Sequence, residues 1–370
     1  MRSSLGDGSP DIVSPALIAQ AFVTTPARLR QRAPRFTLAL VLAFGLITGG
    51  CAGRTERPDR AVYERQLSTE LTELAPNVEA LDLEWQDTAR DRLIPVRVYL
   101  PIRANDGQAA APGRLPLVLF SHGLGGTRMG YSNLGRYWAS QGFIALHLQH
   151  PGSDRSVWGD RGMAVISSVR QATTTEQAIA RAMDVRFVID QVLADPKLSR
   201  RVDAQRIGIA GHSYGANTAL LAAGARFVRD GSLQAFGDSR IRAAIIMSPP
   251  SLPSEYDPVY VYNPIAIPTL HLTGTDDHTP IPGMVTNASD RRVPFDSIVA
   301  TPRYLGIFEK GRHTMFNDWS RDDASQRIKA STRALTLAFW QASLLGDATA
   351  LQRLAEPVST TSPLAAWERR

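Results

Sequence analysis

The chain predicts an α/β fold: a mostly parallel sheet of about eight strands with helices on both faces. Three observations carry that expectation. Short apolar runs with little alternation recur between residues 116 and 309. Strands of that kind are buried on both faces, as in a parallel sheet covered by helices. Stretches with helical spacing lie between them, and an antiparallel hairpin stands in front.

The hairpin is read from "LDLEWQ" (Leu81–Gln86) and "IPVRVYLP" (Ile94–Pro101), which alternate apolar and polar residues around "DTARDR". "GQAAAPGRLP" is a loop. The buried runs that follow are "PLVLFS" (Pro116–Ser121), "GFIALHL" (Gly142–Leu148), "RIGIAG" (Arg206–Gly211), "RAAIIMS" (Arg242–Ser248), "PTLHLTG" (Pro268–Gly274) and "RYLGIFE" (Arg303–Glu309). Between them, Ile179, Met183, Phe187, Val188 and Val192 keep helical spacing within Glu176–Asp195. A further helix over Ala324–Asp347 closes the domain. The predicted organisation is a signal segment over 1–50, an attachment cysteine and polar tether over 51–76, a catalytic domain over 77–347 and a tail over 348–370.

With 370 residues, 44% hydrophobic and 21% charged, the chain can bury a large core. The net charge of +6 does not mark a nucleic-acid partner. Five arginines and two aspartates lie before residue 51, so half of the excess falls there, and no long basic run follows. Cys51 is the only cysteine, which excludes an internal disulfide and a thiolate metal cluster.

The setting of Cys51 is informative. "RLRQRAPR" (Arg28–Arg35) precedes the apolar run "FTLALVLAFGLI" (Phe36–Ile47), then "TGG" and the cysteine. A basic region, a short apolar region and small residues before a cut make a secretory signal. The order resembles the lipobox of bacterial lipoproteins, although Thr48 stands where that box usually has leucine. The expectation is an exported protein of a bacterial cell envelope, held to a membrane by a lipid on Cys51 or released.

"GIAGHSYGANTAL" (Gly208–Leu220) places Ser213 between two glycines where a strand becomes a helix. This is a nucleophile elbow, a turn too sharp for flanking side chains. It sets the Tyr214 N–H at a helix N-terminus, where partial positive charge gathers. Serine needs a base and a partner to orient that base. Of seven histidines, five precede the acid candidates or lie in strands and the elbow, and His278 adjoins the acids. His313, in "FEKGRHTMF" after the last predicted strand, is the base expected. The acid belongs to "LHLTGTDDHTPIP", where Asp276 and Asp277 follow a strand. Neighbours in an extended segment point opposite ways, so only one can face the histidine. The spacing of Gly274, Asp277 and Pro280 favours Asp277, with Asp276 bonding the loop and Asp257 next in line. "HGLGG" after the third strand offers backbone N–H groups for a second oxyanion donor, each such donor being worth about 2.7–4 kcal/mol of barrier.

At "PLVLFSHGLGGTRMGYSNLGRYWASQGFIALHLQHPGSD", with "GHSYG", "GTDDHTP" and "GRHTMF", the chain resembles the platelet-activating-factor acetylhydrolase and dienelactone-hydrolase-like branch of the α/β-hydrolases. The likeness covers most of Leu81–Asp347 and implies that fold. It implies Ser213 as nucleophile, His313 as base, and the Leu124 and Tyr214 N–H groups as oxyanion hole. Two departures stand out. Dienelactone hydrolases use a cysteine nucleophile. The mammalian acetylhydrolases take their acid after the sixth strand, and here "MSPPSLPSEYDP" has none close by.

The expected function is ester hydrolysis through Ser213, His313 and Asp277, on a small-molecule or lipid ester, without cofactor or metal. Acyl transfer to an alcohol would use the same residues. A non-catalytic envelope binding protein is the alternative of another class. Aromatic residues in "SDRSVWGDRGM" and "PSEYDPVYVYNP" line an acyl pocket or belong to core and surface.

Overall fold

The first described strand, Val78–Asp87 (β1), pairs antiparallel with Arg92–Pro101 (β2). Asp87 closes their turn by accepting from the Ala89 and Arg90 N–H groups. A computed structural model describes residues 75–102, 113–159, 164–251, 256–279, 286–356 and 363–370. Cys51, the signal segment and most of the tether lie outside them.

From β2 the chain builds β-α units. Leu115–Ser121 (β3) is followed by helix Ser132–Ser140 (α1) and Ile144–Leu148 (β4). Ala164–Ala172 (α2) and Thr175–Ala194 (α3) lead to Val202–His212 (β5) and helix Tyr214–Ala222 (α4). A small hairpin, Arg226–Arg229 (β6) with Ser232–Ala235 (β7), precedes Ile241–Met247 (β8). Short helix Pro258–Tyr262 (α5) leads to Thr269–Asp276 (β9). Val293–Ser297 (α6) precedes Arg303–Arg312 (β10). Asp323–Leu345 (α7), Ala348–Ala355 (α8) and Leu364–Arg369 (β11) complete it.

The main sheet has nine strands in the order β1-β2-β4-β3-β5-β8-β9-β10-β11. Pairs from β4 through β10 are parallel, and the pairings at both ends are antiparallel. The eight predicted strands are all present. The ninth, β11, comes from the segment read as a tail, so residues 348–370 contribute a helix and an edge strand to the sheet. The β6–β7 hairpin was also not expected.

Strand alternation divides the core in two. Leu117, Leu119, Ile207, Ile209 and Ile246 face α3 and α4, where Val185, Val188 and Ile189 pack. Val118, Phe120, Ala243, Ile245 and Met247 face the opposite way, against Trp138 of α1 and Phe339 and Trp340 of α7. Successive side chains point to opposite faces, and both faces are apolar, so the runs show little alternation. Strand order turns back at β3 and β5, where α/β sheets hold ligands at the carboxyl ends of the strands.

Candidate active site

Ser213 sits at the carboxyl end of β5 and has φ 56° and ψ −123°. A residue held there costs about 1–3 kcal/mol and persists only where its surroundings over-determine it. They do: the Ser213 N–H donates to the Met247 carbonyl at 2.9 Å, and its own carbonyl accepts from Ala216 N–H at 2.8 Å. The flanking glycines are required by backbone approach. A Cβ on Gly211 would stand 2.0 Å from the Gly215 carbonyl oxygen, and one on Gly215 would stand 1.9 Å from that of Ser121.

Two neighbouring parallel strands bring the other predicted residues to the serine. Asp277 follows β9, and His313 follows β10 at the start of a 3-10 turn. His313 Nε2 lies 2.9 Å from Ser213 Oγ, and its Nδ1 lies 2.7 Å from Asp277 Oδ1. Asp276 is exposed, and its carboxylate accepts from the Thr275 hydroxyl at 3.4 Å. Asp257 caps α5 by accepting from Val259 N–H.

The Asp277 side chain is fully buried, yet it is held ionised. Burial alone would raise its pKa. The hydrogen bond from His313, then the His313 and Arg291 charges, then the Ser248 hydroxyl outweigh burial and bring it down to about 2. Its Oδ2 accepts from the hydroxyls of Ser248 and of Thr273, the latter at 2.9 Å. With an ionised acceptor at Nδ1, that nitrogen carries the proton, and Nε2 presents its lone pair to the serine hydroxyl.

Arg291 is the participant that sequence reasoning missed. Its side chain is fully buried, with Nη2 at 3.1 Å from Asp277 Oδ1 and 3.3 Å from His313 Nδ1. It also donates to the Asp277, Ser248 and Pro249 carbonyls. Nothing in "SDRRVP" marks one arginine of the pair. Arg292 faces outward onto Asp296 and Glu368 instead.

The loop carrying Leu124 lies directly against the serine: a Cβ on Gly123 would touch Ser213 Cβ at 3.3 Å. No described residue accepts a hydrogen bond from the Leu124 N–H. The Tyr214 N–H heads α4, where the first N–H groups lack helical acceptors. The His212 ring packs 4.7 Å from that of His313 and is fixed by Tyr131, whose hydroxyl lies 2.6 Å from Nδ1.

Of the two aromatic loops, Trp158 lies against the loop carrying Leu124, its ring occupying the space a Gly125 side chain would need. Tyr256 and Tyr262 line a cavity of about 270 Å³ with Asn217, Phe227 and Pro250, which Ser213 does not border. Among the described residues no group of three or more potential metal ligands gathers, and no helix is long and apolar enough to cross a membrane.

The chain resembles known families over parts of its length. Residues 85–160 match the family model of platelet-activating factor acetylhydrolase, isoform II, and residues 188–289 match that of serine hydrolase (FSH1). The first span contains the Leu124 loop and the second contains Ser213 and Asp277. His313 lies beyond both. Platelet-activating factor acetylhydrolase of the dog, Canis lupus familiaris, is 27% identical over 141 residues, covering 30% of this chain and 32% of the relative. That of cattle, Bos taurus, is 27% identical over 139 residues, covering 29% and 31%. The chain thus spans about a third of the length of these curated relatives.

Proposed function

We propose that this chain, an α/β-hydrolase resembling in part the platelet-activating factor acetylhydrolases, is a serine carboxylic-ester hydrolase acting through Ser213, His313 and Asp277. The observation that carries the reading is the unbroken contact from Asp277 Oδ1 through His313 to Ser213 Oγ, at 2.7 and 2.9 Å. His313 Nε2 takes the hydroxyl proton as Oγ attacks the ester carbonyl. Negative charge on the carbonyl oxygen is met by the Leu124 and Tyr214 N–H groups. Asp277 stabilises the imidazolium, which then gives its proton to the leaving alcohol. An acyl-enzyme remains. Water, deprotonated by the same histidine, attacks it, and the acid leaves with Ser213 restored. The substrate is a small-molecule or lipid ester, with an acetyl-sized acyl group the first to try given the relatives' name.

The test is a fluorophosphonate label followed by peptide mapping, alongside turnover of p-nitrophenyl esters of increasing chain length. Ser213 is expected to carry the label, and Ser213→Ala to lose labelling and most turnover. An added alcohol acceptor separates transfer to an alcohol from transfer to water. Labelling of a different serine in the folded, active protein would sink the assignment.

The order of basic, apolar and small residues before Cys51 supports a second element of the proposal: export, with a lipid on that cysteine. Wild type is expected in the membrane fraction with a lipid mass on its N-terminal peptide, and Cys51→Ser in the soluble fraction. Soluble wild type without that mass would remove the anchor and leave the esterase reading intact.

A further inference from the structure

A second chain of serine, histidine and aspartate lies behind the site. Ser121 Oγ is 2.9 Å from His150 Nε2, and His150 Nδ1 is 3.0 Å from Asp184 Oδ2. All three residues are fully buried, so Ser121 is not offered to substrate. The proposed reaction makes no use of them.

Their protonation follows from their partners. Asp184 also accepts from Arg90 at 2.9 Å and from Arg92 at 3.0 and 2.9 Å. Against the upward pull of burial, the bonds from His150 and Arg92 hold it ionised. Burial, then the Arg181 charge, push His150 down to about 4, so its ring is neutral. An ionised carboxylate only accepts, so Nδ1 carries the proton and Nε2 accepts from Ser121. The Ser121 oxygen is left to accept from Arg181 Nη2 at 3.0 Å.

Arg181 is where this chain meets the oxyanion loop. It is wholly buried and donates to the His122 carbonyl, to Ser153 Oγ at 2.8 Å and to Thr218 Oγ1 at 2.8 Å. Burial lowers its pKa only to about 10, so it keeps its charge at neutral pH. Leu124 is bracketed by groups that lead back to it. On one side the His122 carbonyl is bound directly. On the other, the Gly125 N–H donates to the carbonyl of Ser153, whose hydroxyl Arg181 also binds. The His122 ring braces the same loop. The His150 N–H donates to its Nε2 at 3.0 Å, so its other nitrogen donates to the Gly123 carbonyl at 2.6 Å. Arg181 reaches the second donor too. Its Cζ stands 4.5 Å from the centroid of the Tyr214 ring, and Thr218 lies one turn along the same helix. Apolar packing could fill this space without the cost of burying a cation. A fork of fixed donors can instead tie two backbone segments into one geometry.

We propose that Arg181, oriented by Ser121, His150 and Asp184, is a positioning residue that sets the Leu124 and Tyr214 N–H groups at the spacing a tetrahedral oxyanion needs. The inference rests on the serine-esterase reading. A displacement of about 1 Å in such donors costs up to about a hundredfold in rate.

The test uses Arg181→Met and the milder Ser121→Ala in the full chain, with active sites titrated by fluorophosphonate so that kcat is counted per reactive Ser213. In Arg181→Met, kcat per titrated site is expected to fall at least about tenfold with KM within about threefold, and in Ser121→Ala by about threefold. A merely structural role would lower the melting temperature and the fraction titrated, leaving kcat per site unchanged. Arg181→Met failing to fold leaves Ser121→Ala to decide. An unchanged kcat per site in folded Ser121→Ala, with wild type active, overturns the inference alone. A wild type that neither labels nor turns over removes the esterase reading and this role with it.

Discussion

Two adjacent aspartates in this chain meet opposite fates, and the difference is measurable. Asp277 is buried and accepts from His313, Arg291, Ser248 and Thr273. Asp276 is exposed, with one long contact to Thr275. Losing the carboxylate that orients the base leaves the imidazole in the wrong tautomer and costs up to about 10⁴ in kcat. Asp277→Asn is therefore expected to fall by orders of magnitude in ester turnover while staying folded. Asp276→Asn is expected to stay within about tenfold of wild type. The reverse ranking would make Asp276 the orienting acid. The motif around Gly274, Asp277 and Pro280 made Asp277 legible, because neighbours on an extended segment alternate in direction. Arg291 was not legible. It reaches Asp277 from the 3-10 turn Ala288–Arg292, 14 residues further along the chain, and no local pattern announces that contact.

Elements were legible in proportion to how much of their own burial they reveal. Leu117 through Phe120 and Ile207 through Ala210 are apolar on both faces, so the sequence itself reports a covered central strand. The last strand, β11, gives no such report. "LAAWER" is short and half-buried, and among the described residues its only strand partner is β10, at the sheet's edge. Its place is set by tertiary contacts. Trp367 donates to the Leu354 carbonyl of α8 at 3.1 Å and packs 6.0 Å from the Tyr304 ring, while Glu368 pairs with Arg292. Removing β11 would bare the edge of β10, whose far end leads to His313, and an uncovered edge is a template for association. A chain ending at Glu356 is expected to melt several degrees lower, about 1–3 kcal/mol less stable, and to form concentration-dependent oligomers by light scattering. An unchanged melting temperature in a monomeric truncated chain would reduce β11 to an ornament of the edge.

Across the whole molecule, the imidazoles set the response to acid. Five of the seven histidines, His122, His147, His150, His212 and His271, are buried. Burial lowers all five: His147 and His271 to about 3, His150 to about 4, and His122 and His212 well below the ordinary value. The folded chain therefore holds them neutral where the unfolded chain protonates them. Stability from this source is fully present above the unfolded value of about 6.5 and is lost as pH falls below it. At pH 5.5 each ring that stays neutral costs on the order of 1 kcal/mol, and five together cost several kcal/mol. That rivals the whole stability of a typical domain, about 5–15 kcal/mol. Asp277 acts in the same direction in a lower window. Its contribution is lost only as pH falls from its ordinary value of 3.8 toward about 2. The histidines consequently act at a higher pH than Asp277 does. Acid unfolding is expected to be cooperative with a midpoint near about pH 5, with about four to five protons taken up on unfolding at about pH 5.5. Urea titrations at half-unit steps from pH 7 to pH 4.5 measure both. A stability that stays level down to pH 4.5 would mean that these rings are protonated in the folded chain, or that unfolding leaves them as they were.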